Sequence, residues 1–267
     1  MKLHVYSSPR KTAHALCRKL MEKMKEKEGT FHLAIPGGNT PIPFYNALAG
    51  KYRKDIPWER VCLYWVDEIC VPPTHPASNY GLVKRLLLDR IPLSASQIFR
   101  IRGEADPEEE ACRYSQLVKD QLPSKDGIPV FDMVIVGVGN DGHTSSVFPG
   151  EEPVLHCQEN YAVAFQPETG QKRIALTGNP TLHARDISLY ITGAEKAPIV
   201  KEILIDSNLV DDYAAKFILQ EDNAHLDLFL DRSALSLTKD WQISTLIDAD
   251  YPEHIPKSLY DASGNIQ

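Results

Sequence analysis

The sequence predicts an α/β protein built on a doubly wound, mainly parallel sheet with helices on both faces. Two observations carry that prediction. Apolar runs of strand length alternate with stretches patterned as amphipathic helices, joined by short glycine-bearing turns. The runs are also apolar at consecutive positions, as strands covered on both faces require. The alternation continues through most of the 267 residues without a linker-like break. A single α/β domain over residues 1–267 is therefore expected, with residues 238–267, polar and weakly patterned, as a carboxyl-terminal extension without catalytic content.

The elements follow in order. Residues 9–28 carry Ala13, Leu16, Leu20 and Met24 at helical spacing among lysines and glutamates, which describes a surface helix. FHLAIP (31–36) reads as a short strand ending in GGNTP, and a helix follows with Thr40 suited to its cap and Pro41 to its first turn. VCLYWV (61–66) is a second buried strand, closing on Asp67 and Glu68. Ser78 to Arg90 is helical, with Leu82, Leu86 and Leu87 on one side. Asp106-Pro107-Glu108-Glu109 starts another helix, with an aspartate cap, a first-turn proline and an acidic third position. Its buried stripe is Ala111, Tyr114, Leu117, Val118 and Leu122. FDMVIV (131–136), YAVAFQ (161–166), RIALTG (173–178), SLYITG (188–193) and KFIL (216–219) read as further strands, with a helix from Ala194 to Leu204 between the last two.

Composition narrows the function classes. A net charge of −7 disfavours nucleic acid as a partner, because phosphate backbones attract basic surfaces. A small anion remains compatible, provided cations and backbone amides are concentrated locally. No apolar run approaches the ~18 residues of a membrane span, and the first residues, MKLHVYSSPRK, lack the apolar core of a secretory signal. Five scattered cysteines with no CxxC pair indicate reduced thiols and neither a disulfide frame nor a zinc site. The expectation is a cytoplasmic protein, a monomer or weak homo-oligomer, with no membrane or nucleic-acid partner.

FDMVIVGVGNDGHTSSVFPG (131–150) is the most informative stretch. A buried strand runs into a glycine-rich turn presenting Asp141 and His143, and ligands in open parallel sheets bind just beyond the carboxyl ends of strands. An isolated histidine is usually packed or solvated. One placed two residues beyond an aspartate can have its tautomer set by that neighbour, and histidine's ordinary pKa of about 6.5 suits a general base. Gly137, Gly139 and Gly142 also spell the G-x-G-x-x-G dinucleotide fingerprint. Against a nucleotide stand Asp141, a carboxylate inside the loop meant for a pyrophosphate, the mid-chain position, and a following strand that closes on Gln166 instead of an acid.

Gly37, Gly38, Asn39 and Thr40 form a better anion site, with free amides at the positive end of a helix. An ordinary capped helix accounts for the same residues equally well. Asp67 and Glu68 are costly at the end of a core strand unless they find partners. Arg173 and Lys196 are each ordinary surface charges alone; together with the 37–41 loop they could bracket a phosphate.

Six blocks in order, IPGGNTPIPFY, VDEICVPPTHPASNYGL, FDMVIVGVGNDGHTSSVFPG, RIALT, ITGAEKAPIV and LDLFLDRSAL, resemble the 6-phosphogluconolactonases, from about residue 31 to about residue 237. That family shares a Rossmann-like fold with glucosamine-6-phosphate deaminases and ribose-5-phosphate isomerases (the NagB/RpiA/CoA transferase-like fold). The resemblance implies hydrolysis of 6-phospho-D-glucono-1,5-lactone to 6-phosphogluconate, the second step of the oxidative pentose phosphate pathway. His143 would be the general base, with Asp141 holding the turn or orienting it. Arg173 and Lys196 would hold the phosphate, Asp67 would contact sugar hydroxyls, and backbone amides of the glycine turns would receive the oxyanion. The substrate is a small sugar phosphate; no cofactor and no metal are implied.

Two departures bear on affinity. Ile69 stands where the family usually has arginine, leaving the phosphate to Arg173, Lys196, the 37–41 loop or Arg85, and the asparagine usual after the LT block is replaced near His183. The rivals are an amino-sugar-phosphate deaminase or isomerase, whose branch carries a glutamate where this chain has GHTSSVFPG, and a non-catalytic sugar-phosphate sensor on the same fold.

Overall fold

The computed structural model of the chain describes residues 2–205, 213–220 and 225–238. β1 (Lys2–Tyr6) precedes α1 (Pro9–Glu26), whose cap Ser8 accepts a hydrogen bond from Lys11 N, and the expected stripe of Ala13, Leu16, Leu20 and Met24 is buried. β2 (Phe31–Ile35) leads through the 36–41 loop into α2 (Ile42–Ala49). Thr40 does not cap this helix. The cap position is Pro41, without a side-chain cap bond, because a turn closed by Ile42 N on Asn39 O (3.1 Å) takes Thr40 into its interior.

β3 (Val61–Trp65) is followed after one residue by β4 (Asp67–Ile69), and Ser78 then caps α3 (Asn79–Leu86). The helix expected to reach Arg90 breaks at Leu87 and continues as a separate 3₁₀ turn, Leu88–Arg90. β5 (Ile98–Phe99) precedes α4 (Pro107–Gln121), where Asp106 accepts from the amides of Glu108 and Glu109 as its sequence predicts. β6 (Ser124–Lys125) and β7 (Ile128–Pro129) form a hairpin across Asp126-Gly127, both residues at positive φ as that turn requires.

β8 (Met133–Val136), α5 (Glu152–Leu155), β9 (Tyr161–Phe165), β10 (Lys172–Leu176), α6 (Gly178–Leu182) and β11 (Ile187–Ile191) come next. A 3₁₀ turn, Ala194–Lys196, then runs into α7 (Ala197–Ile205), and α8 (Ala214–Gln220) and β12 (Leu226–Asp231) complete the fold. KFIL is thus helical, within α8. Its four residues are too short a window to separate the two periods, and burial of Ala214, Ala215 and Ile218 follows helical spacing.

The main sheet has seven strands in the order β1-β12-β11-β8-β2-β3-β5, every neighbouring pair parallel. From β2 the chain winds outward through β3 and β5; from β8 it winds the other way through β11 and β12. The reversal falls between β2 and β8, and such a reversal opens a crevice outside the carboxyl ends of the two strands. β2, β8 and β11 are buried along their whole length, which accounts for their uninterrupted apolar runs.

The strands 161–166 and 173–178 do not join this sheet. β9 and β10 pair antiparallel with each other, and β10 pairs antiparallel with β4 on its other side. Only residues 166–171 link β9 to β10, whereas parallel neighbours need a crossover of about a dozen residues. Val66 joins the two sheets: its amide donates to Ile35 O (2.9 Å) and its carbonyl accepts from Leu176 N (2.8 Å). Strand alternation turns Glu68 and Ile174 into the core, while Asp67, Ile69 and Arg173 face the crevice.

All five cysteines are free thiols. No helix among the described residues is long and apolar enough to cross a membrane. The expected carboxyl-terminal extension lies, from residue 239 onward, outside the described residues.

Candidate active site

A cavity of about 610 Å³ occupies the crevice, walled by the loops that follow β2, β8 and β11, by β4 and β10, and by the start of α3. Gly37, Gly38, Asn39, Thr40, Asp67, His143, Arg173 and Lys196, all singled out in the sequence, line it. Asp141 does not; it stands behind the His143 ring with a half-exposed side chain.

The loop after β8 is closed on itself. Gly139 N donates to His143 O (2.8 Å), Gly142 N to Gly139 O (3.2 Å), and Thr144 Oγ1 to Gly137 O (2.7 Å). These bonds hold His143 against Asp141, whose Oδ1 accepts from the ring Nδ1 at 2.6 Å and from His143 N at 3.3 Å. Burial pushes the Asp141 carboxyl up, but the hydrogen bond and charge of His143 outweigh it and hold the group below its ordinary pKa. In the neutral imidazole, an ionised acceptor at Nδ1 places the proton there and leaves Nε2 its lone pair. No hydrogen bond among the described residues uses Nε2. Gly139 is required for this approach, since a Cβ there would lie 2.2 Å from His143 Nδ1 and 2.4 Å from Asp141 Oδ1. The ring also packs on Phe148, with centroids 4.5 Å apart, and the Arg173 guanidinium lies over the same phenyl ring at 5.3 Å.

The loop after β2 is open. Among the described residues, the amides of Gly37, Gly38, Asn39 and Thr40 donate to no protein group. They adjoin the amino end of α2, whose cap position is Pro41 and not Thr40. Gly139 and Gly142, by contrast, spend their amides inside their own loop, which removes those two from the expected oxyanion donors. The dinucleotide reading fails on the same geometry: no helix begins at Gly142, and the next one is α5.

Lys196 is buried at the cavity wall, and among the described residues its ammonium has neither a hydrogen-bond nor an ion-pair partner. Burial lowers its pKa; the charges of Glu195 and Asp141 oppose the shift without cancelling it. Arg173 likewise has no carboxylate partner among the described residues; its Nη1 donates to Ser146 Oγ (3.3 Å) and its Nη2 to Gln166 Oε1 (3.2 Å). Two cations without a carboxylate partner among the described residues thus line one cavity of a protein with net charge −7. Glu195 lines the same cavity. Ile69 is the cross-strand partner of Arg173 and presents alkyl surface to the cavity, while Arg85 is exposed on α3 away from it. His183 is bonded to Asn179 O at the end of α6 and lines no part of the cavity.

The paired acids find the partners they need. Glu68 is 2% exposed and accepts from the amides of Ile69 (2.9 Å), Asn79 (2.7 Å) and Tyr80 (2.8 Å) and from Ser78 Oγ (3.2 Å). Burial nevertheless pushes its carboxyl up to about 7. Asp67 Oδ2 accepts from Asn79 Nδ2 (3.0 Å) and Ser146 Oγ (2.5 Å). Sequence reasoning missed Asn79 and Ser146. Both are polar residues beside recognised motifs, and only the tertiary fold brings them to Asp67. Among the described residues, no three His, Cys, Asp or Glu side chains are grouped to hold a metal ion.

The family model described as glucosamine-6-phosphate isomerases/6-phosphogluconolactonase matches residues 7–226. A protein of Treponema pallidum named 6-phosphogluconolactonase is 35% identical over 206 residues, spanning 77% of this chain and 85% of its own. One of the same name from Haemophilus influenzae is 38% identical over 208 residues, spanning 77% and 87%. The crystal structure of a protein designated devB superposes with a TM-score of 0.78 at 34% identity, covering 88% of this chain and 98% of that one. On its sequence, its fold and the extent of the match, the chain belongs to the glucosamine-6-phosphate isomerase/6-phosphogluconolactonase family.

Proposed function

We infer that this protein is a 6-phosphogluconolactonase, hydrolysing 6-phospho-D-glucono-1,5-lactone to 6-phosphogluconate in the oxidative pentose phosphate pathway. One observation carries the reading beyond the family's name. A histidine with its Nδ1 held by a carboxylate and, among the described residues, its Nε2 unused shares a single cavity with two cations that lack carboxylate partners there.

His143 Nε2 takes a proton from water as the water oxygen attacks the lactone carbonyl. The tetrahedral oxyanion then collapses, the C1–ring-oxygen bond breaks, and the imidazolium returns its proton to the departing ring oxygen. Asp141 fixes the tautomer and steadies the imidazolium between the two steps. Arg173 and Lys196, with the open amides of the 37–40 loop, hold the phosphate, and Asp67 receives sugar hydroxyls. With Ile69 in the wall, the cross-strand position beside Arg173 adds no third cation, so the phosphate leans on Lys196 more heavily. A cytoplasmic site of action and a monomeric or weakly associated state accord with this soluble substrate.

The deaminase reading lacks its glutamate: the segment after His143 brings Phe148 against the imidazole where that chemistry needs a carboxylate. The test is hydrolysis of freshly generated lactone, corrected for spontaneous opening, beside ammonia release from glucosamine 6-phosphate. Lactone turnover well above background without ammonia is expected. Ammonia release, or no lactone turnover, would overturn the assignment.

A further inference from the structure

Ser146 lies three residues past His143, is 2% exposed, and sits between two groups that carry opposite charge. Its hydroxyl donates to Asp67 Oδ2 at 2.5 Å and accepts from Arg173 Nη1 at 3.3 Å. A carboxylate can only accept and a guanidinium can only donate, so a hydroxyl is a neutral group able to join them in that order. Asp67 and Arg173 face the same cavity from adjacent strands, β4 and β10, yet they form no direct ion pair. A direct bidentate pair would commit both charges to each other and take them from a ligand. With Ser146 interposed, both bonds to Asp67 from Ser146 and Asn79 fall on Oδ2, and among the described residues none falls on Oδ1.

The backbone supports the same conclusion. Ser145 and Ser146 are consecutive residues in the left-handed region, at φ 48° and 61°, inside a turn closed by Val147 N on Thr144 O (2.8 Å). A Cβ is unfavourable there and glycine would relax the turn, as it does nearby at Gly142 and Gly150. Ser145 shares that conformation, but its buried Oγ has no hydrogen-bond partner among the described residues, whereas Ser146 Oγ both donates and accepts.

We propose that Ser146 is a positioning residue that locks Asp67 and Arg173 into one geometry, so that sugar recognition and phosphate holding are coupled through a single hydroxyl. The proposal rests on the lactonase reading for its ligand. It extends that reading by making two binding groups interdependent.

The test is a double-mutant cycle read by kcat/KM on the lactone and, separately, by calorimetric binding of 6-phosphogluconate. Ser146→Ala removes the hydroxyl; Ser146→Gly removes it and relieves the backbone, and serves if the alanine variant fails to fold. Each is expected to lower kcat/KM about ten-fold, chiefly through KM, and to weaken product binding about as much. In an Asp67→Asn background the same changes should cost less than about two-fold, because the carboxylate being positioned is already gone. Wild-type kinetics in Ser146→Gly, or an undiminished ten-fold loss on top of Asp67→Asn, would overturn the positioning role while leaving the lactonase assignment intact. A wild-type protein that binds 6-phosphogluconate with this coupling but shows no turnover would overturn the lactonase assignment alone.

Discussion

Two glycine-rich loops stand side by side at the centre of the main sheet, after β2 and after β8, and they do opposite things. The 36–41 loop leaves its amides unused among the described residues; the 137–147 loop spends those of Gly139 and Gly142 on itself. The open loop keeps its amides available at the amino end of α2, as the proposed phosphate contact requires. The closed loop is built to hold a side chain, and what it holds is the His143–Asp141 pair at 2.6 Å. Similar composition thus leaves amides free in one place and fixes a side chain in the other, and internal hydrogen bonding decides which.

Glycine substitutions should break this contrast unequally. In the closed loop, Gly139→Ala drives a Cβ into the imidazole and its carboxylate. A fall in kcat of about 100-fold or more is expected, the scale of losing a positioned general base, and steady-state kinetics would reveal it. For the proposed phosphate contact, Lys196→Ala removes an ammonium unpaired among the described residues and should raise KM roughly 10- to 100-fold, the worth of one charge-assisted contact, with kcat little changed. A fall in kcat alone would place Lys196 in the chemical step. Asp141→Asn keeps an acceptor for Nδ1–H but removes the charge that steadies the imidazolium, so kcat should drop about ten-fold at constant KM. The smallest effect belongs to the open loop. Gly38 sits at φ +75° with nothing within 4 Å of a would-be Cβ, so Gly38→Ala meets conformational strain alone. A loss of roughly 1–2 kcal/mol in urea unfolding is expected, with KM rising less than about three-fold.

The closed loop was more legible in the sequence than the walls around it. A continuous apolar run, three glycines and the Asp141–His143 spacing determine locally where the histidine emerges, and the local bonds follow. The antiparallel sheet is hard to separate from the main one in sequence because YAVAF and the IAL of KRIAL are apolar runs of strand length. The short link between them carried the missing information, since it forbids a parallel crossover. KFIL misleads for a related reason: four residues span barely one helical turn, too little for either period to repeat visibly. Thr40 and Pro41 had the composition of a helix start, yet an extra turn displaced the cap by one residue. The expectation that Asp67 and Glu68 need partners was sound. Naming Asn79, Tyr80 and Ser146 as those partners was beyond it, because they arrive from 12 and 79 residues away.

In the proposed reaction His143 Nε2 is the base, in a cavity that binds substrate by other groups. The most direct measurement compares His143→Ala with the wild-type protein for lactone hydrolysis above background and for 6-phosphogluconate affinity in the same preparations. Hydrolysis should fall by about 10²- to 10⁴-fold while affinity stays within about two-fold. Hydrolysis within two-fold of the wild type would contradict it.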